Sequence, residues 1–177
     1  MTGPAIERRA TAVELRAADG RRLEGYAATF DTPATIGDFT ETIAAGAFAA
    51  SLARRGDILA LVDHDPGRVL ARTRSGTLTL GEDAKGLAFS IAVPDTQTGR
   101  DVLALAERGD LGGMSFGFTV PKGGERWAGK TRELRAVELV EISVVSAWPA
   151  YSGTSINARM RIPPRLAAIR RFMETVR

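Results

Sequence analysis

Short apolar runs separated by turn residues dominate this sequence, and that rhythm admits few folds other than one built mainly from strands. Residues 11–17 alternate, with Val13 and Leu15 facing one way and Glu14 and Arg16 the other. Ala18-Asp19-Gly20-Arg21 then turns the chain into 23–30, which is a hairpin signature. Further strands are expected at 41–43, 58–62, 69–73, 76–80, 87–93, 114–120, 131–136 and 137–145, with Asp63-His64-Asp65 after 58–62 stopped by Pro66-Gly67 and with 121–129 as a loop. Two segments read as helices. Residues 46–55 carry Phe48 and Leu52 on one side and stop at Gly56. The other opens at Pro94-Asp95-Thr96, repeats Val102, Leu105 and Ala106 at helical spacing and closes at Arg108-Gly109. The expected class is mainly β with helices (α+β), a closed or partly closed antiparallel β-barrel flanked by helices.

Residues 1–157 are expected to form one domain. Pro163-Pro164 marks a change of texture, and 158–177 read as a basic C-terminal tail or helix bearing Leu166, Ile169, Met173 and Val176. The net charge is +3, but arginine is scattered and no basic stripe is interleaved with aromatics. The excess therefore reads first as surface charge and second as a hint of an anionic partner, and no specific nucleic acid is expected as a partner. With no cysteine, a thiol nucleophile, Cys-based zinc and a disulfide framework are all excluded. The first sixteen residues lack an apolar segment, and no run approaches the ~20 residues of a membrane span, so a soluble protein with no membrane partner is expected.

His64 is the only histidine. A multi-histidine metal site cannot be built, and any Ser-His hydrolase must use His64 as its base. Gly113-Met114-Ser115-Phe116-Gly117 matches G-x-S-x-G literally. An α/β-hydrolase elbow, however, follows a strand, opens a helix and precedes its histidine, and here each of these is reversed. Ser115 remains a candidate nucleophile because of strand alternation. Met114, Phe116, Phe118 and Val120 share the greasy face, leaving Ser115, Gly117 and Thr119 on the other. In 137–145, Val140, Ile142 and Val144 form the apolar face, with Glu141 and Ser143 opposite, beside Leu139 and Val145. Two neighbouring strands would then present Ser115 and Glu141 together, with His64 arriving from the end of a third. The plainer alternatives are a polar surface His64, a small packing Ser115, and a Glu141 paired with Arg135 or Lys130. Glu138 is a rival acid, and Asp63, His64 and Asp65 could instead suggest carboxylate binding of Mg²⁺, although no second carboxylate cluster accompanies them.

Several motifs recur in order: Glu41-Thr42-Ile43 before Gly46-Ala47-Phe48; Leu61-Val62-Asp63-His64-Asp65; Gly113-Met114-Ser115-Phe116-Gly117-Phe118; Leu139-Val140-Glu141-Ile142-Ser143-Val144-Val145; and Pro149-Ala150-Tyr151. Together they resemble the prohead protease family of tailed phages, capsid-maturation enzymes related in fold to the herpesvirus assemblins. The resemblance spans residues 15–159 and implies a herpesvirus-protease-like barrel. It further implies a serine endopeptidase in which Ser115 attacks, His64 exchanges the proton and Glu141 orients the imidazole. The herpesvirus enzymes have a second histidine in that third role. They also use an arginine near the oxyanion, for which Ala147-Trp148-Pro149-Ala150 offers no counterpart. Backbone amides at 112–115, or Arg100, are candidate oxyanion donors. Implied partners are the major capsid protein and its scaffolding segment, with the portal protein and self-association as further candidates. The implied place of action is the assembling procapsid in the host bacterial cytoplasm. No cofactor is implied, self-cleavage is, and the basic tail is a candidate tether or self-cleavage product. The alternatives are a catalytically silent scaffold or assembly protein, and a version serving a gene transfer particle.

Overall fold

A computed structural model describes residues 5–11, 15–18 and 21–146. Val13, the turn residues Asp19 and Gly20, Trp148-Pro149, the boundary at 157 and the basic tail lie outside the described residues. The strands in chain order are β1 (Glu7–Thr11), β2 (Leu15–Ala18), β3 (Arg22–Thr29), β4 (Ala34–Ile36), β5 (Phe39–Ile43), β6 (Leu59–Val62), β7 (Asp65–Arg72), β8 (Leu78–Glu82), β9 (Gly86–Ala92), β10 (Gly113–Thr119), β11 (Glu125–Ala128), β12 (Thr131–Leu134) and β13 (Glu138–Val145). The helices are α1 (Ala49–Ala53) and α2 (Gln97–Arg108).

The fold is mostly β, and the strands form three sheets, ordered β1-β10-β13-β6-β7, β11-β12-β5-β4 and β2-β3-β9-β8. None of these ladders closes on itself, so the expected barrel closure is not formed by hydrogen-bonded strands. The pairing is also not purely antiparallel, because β13 runs parallel to β6 and β12 parallel to β5. One core serves all three sheets, drawing on Leu23 and Ile91, on Leu134, and on Phe116, Phe118 and Ile142. Phe48, before α1, is fully buried and packs edge-on to Phe116 with ring centroids 5.6 Å apart.

α2 begins as its sequence dictates. Thr96 Oγ1 accepts from the Gly99 amide at 3.2 Å, and Gly109 ends the helix in the left-handed region, φ 74°. The helix expected at 46–55 contracts to a short α1, and the loop expected at 121–129 contains β11. Pro66-Gly67 do not end a strand. They lie within β7, an edge strand, where the register slips so that Leu61 faces Val69 while Val62 faces Asp65.

Alternation along β13 also slips. Gly117 of β10 faces Glu141, but Phe118 faces Leu139, which leaves Val140 as the extra residue of a bulge. Val140, expected in the core, is therefore 36% exposed, while Leu139 takes its place inside at 7%. Not all arginine is surface charge either. Arg9, Arg132 and Glu41 are buried together. Arg9 Nε donates to Glu41 Oε1 at 2.6 Å, and Arg132 Nη1 donates to Glu41 Oε2 at 3.0 Å and to Glu7 Oε2 at 2.6 Å. This cluster ties β1 to β5 and β12.

Candidate active site

β10 lies between β1 and β13, with Ser115 opposite both Ala10 and Ser143, and Gly117 opposite both Arg8 and Glu141. Residues paired across a ladder point to the same face, with Cβ atoms about 5 Å apart. Arg8, Ser115, Gly117, Glu141 and Ser143 therefore share the face opposite the one that carries Phe116 and Ile142. β6 extends that face with Leu59 and Leu61, which lie in register with Glu141 and Ser143.

The hairpin joining β6 to β7 brings in His64. Val62 faces Asp65, leaving Asp63 and His64 as the two turn residues with φ 51° and 61°. Positive φ at both positions matches the right-handed strand twist and normally favours Asn-Gly, so this Asp-His pair needs support. Asp63 supplies it. Its amide donates to Val144 O at 2.9 Å, and its carboxylate accepts from the Ser146 amide and hydroxyl, both at 2.8 Å. Asp65 in turn accepts from the Gly67 amide at 2.8 Å. Asp63 thus holds the turn, and Asp65 holds the start of β7. Among the described residues, no group of three or more His, Asp or Glu side chains is placed to hold a metal ion.

The turn delivers the imidazole to Glu141, with Nδ1 2.6 Å from Oε1. The other carboxylate oxygen, Oε2, accepts from Ser143 Oγ at 2.6 Å. Arg8 Nε stands 3.7 Å from Oε1, and that buried nitrogen has no hydrogen-bond partner. Glu141 is 5% exposed and Ser143 is fully buried, so these contacts operate with little solvent screening. With the proton on Nδ1, the imidazole donates to Glu141 and its Nε2 lone pair is left to accept another proton.

Ser115 is 1% exposed, and its hydroxyl donates to the Arg9 carbonyl at 2.9 Å, not to His64. The expected residues therefore fall into two parts: a bonded pair, His64 and Glu141, and Ser115 directly opposite Ser143. Glu138 is not at the site and pairs with Arg54 at the other end of the strand. Arg135 pairs with Glu133. Arg100 is engaged by Asp95 and Gln97, and the Gly112 amide donates to Val145 O. Two surface grooves, one over Tyr26 and Phe89 and one over Leu52 and Ile58, include none of the site residues.

Arg8 and the role of Ser143 were not expected from the sequence. The spacing Glu141-x-Ser143 carried a usable signal, since alternate strand residues share a face. Arg8 gave none, because β1 has no apolar alternation. A family model described as Caudovirus prohead serine protease matches residues 7–164. No curated protein and no solved structure matches the chain.

Proposed function

The chain belongs to the Caudovirus prohead serine protease family, and from that premise we propose that Ser115, His64 and Glu141 cleave peptide bonds in the major capsid protein precursor or its scaffolding segment. The observation that carries the proposal is the 2.6 Å contact between His64 Nδ1 and Glu141 Oε1, made over the same sheet face that bears Ser115. Attack requires Ser115 Oγ to leave the Arg9 carbonyl by rotation about χ1 and to meet His64 Nε2. The imidazole takes the hydroxyl proton as Oγ adds to the scissile carbonyl carbon. Glu141 stabilises the resulting imidazolium and keeps Nε2 aimed. The imidazolium then protonates the departing amine, and water, activated by the same nitrogen, releases the acyl group. Cleavage takes place within the procapsid. A herpesvirus-protease-like arrangement of the three open sheets about their shared core fits this reading.

A silent assembly protein is the rival, favoured by the engagement of Ser115 Oγ with Arg9. Co-expression with the adjacent capsid protein separates the two. Ser115→Ala should abolish processing, since loss of a triad member costs on the order of 10⁴-fold or more in rate, while particles still assemble. Processing that persists in Ser115→Ala would remove this residue from the mechanism.

A further inference from the structure

We infer that Ser143 is a positioning residue that decides which of two cations Glu141 serves, an inference that rests on the proposed roles of Ser115, His64 and Glu141. Oε1 of Glu141 has two positive or potentially positive neighbours, the His64 imidazole at 2.6 Å and the Arg8 guanidinium at 3.7 Å. Arg8 Nε is buried without a hydrogen-bond partner, so it gains a charge-assisted bond if the carboxylate swings toward it. Opposing that swing is the bond from Ser143 Oγ to Oε2 at 2.6 Å.

The geometry makes this bond stiff. Ser143 is fully buried, lies two residues along the same strand on the same face, and has its strand paired on both sides, by β10 and β6. The hydroxyl fixes one carboxylate oxygen, and the planar group then holds the other beside the imidazole. Without it, Glu141 is free to turn about its side-chain torsions and engage Arg8. His64 would then lose the partner that orients its ring. Ser143 has no further part in the chemistry, because its proton is directed at Glu141 and not at the substrate.

The test uses the full-length chain and a fluorophosphonate probe, whose phosphorus is attacked by the serine oxygen with loss of fluoride. Ser143→Ala should slow the first-order labelling step about 10- to 100-fold while the probe's apparent affinity stays the same, as expected when a base is misaligned and binding is intact. Ser143→Thr, which keeps the hydroxyl, should recover most of the rate. Glu141→Gln/Ser143→Ala should label no more slowly than Glu141→Gln alone, because Ser143 acts only through that carboxylate. Arg8→Gln should restore part of the rate lost in Ser143→Ala by removing the competing cation. Ser143→Cys, isosteric but a weak donor, is measured beside Ser143→Ala so that a folding defect in one variant does not decide the outcome. The inference is overturned by wild-type labelling in both Ser143→Ala and Ser143→Cys, by losses that multiply with Glu141→Gln, or by a label attached to Ser143 itself. Labelling that survives Ser115→Ala would instead sink the site assignment on which the inference rests.

Discussion

At the scale of single residues, Gly117 is the glycine that bears directly on the candidate site. A Cβ there would stand 2.5 Å from Glu141 Oε1, the very oxygen that meets His64. The obstructing atoms belong to the Glu141 side chain and not to the backbone, so Gly117→Ala is accommodated by displacing the carboxylate from His64 and Ser143. The expected outcome is a loss of roughly 10²-fold in turnover with the melting temperature within a few degrees of the parent, measured by capsid-protein cleavage and calorimetry. A variant as active as the parent would show that the His64–Glu141 contact is dispensable. Ser115, Gly117 and Glu141 were legible in the sequence because strand alternation places each opposite an apolar neighbour. The turn that carries His64 was legible only as a stop. That Asp63 clasps Ser146 depends on a contact between residues far apart in the chain, which no local pattern records.

At the scale of elements, β1 is the strand that periodicity missed, and it lies directly against the candidate site. It supplies the carbonyl that holds the Ser115 hydroxyl and the guanidinium beside Glu141. Its inward residue is Arg9, seated over the Phe118 ring at 5.4 Å and ion-paired to Glu41, so an apolar pattern could not announce it. The bulge at Val140 defeated the pattern in the opposite way, by shifting the phase of a strand that had been correctly located. β1 should also carry a pH signature through Glu7. Burial alone would push the Glu7 carboxyl up, but hydrogen bonds and charge from Arg132 and Arg9 outweigh it and hold the group below its ordinary value of 4.5. A carboxyl depressed on folding adds stability above that ordinary value and loses it as pH falls through the folded one. Glu7→Gln should therefore melt lower than the parent near neutral pH, with the gap narrowing in thermal scans taken progressively below pH 4.5. A gap that is constant with pH would exclude the ion pairs as its cause.

At the scale of the molecule, three open sheets share one core, and a buried charge cluster fastens the sheet bearing the site to the sheet of β5 and β12. Arg132 is its hub, reaching Glu7, Glu41 and Glu125. Removing one member of a buried pair leaves the others uncompensated, so Arg132→Met should cost on the order of 3 kcal/mol in urea unfolding. A cost near zero would show that Arg9 alone suffices to balance Glu7 and Glu41. The short Nδ1–Oε1 contact has a separate consequence for experiment, because the chain contains a single histidine. Any downfield imidazole proton, or any ring-carbon signal from uniformly labelled histidine, must come from this one ring. The protein thus carries its own resonance probe, and substrate arrival or a change at the neighbouring carboxylate can be followed in solution without assigning another peak.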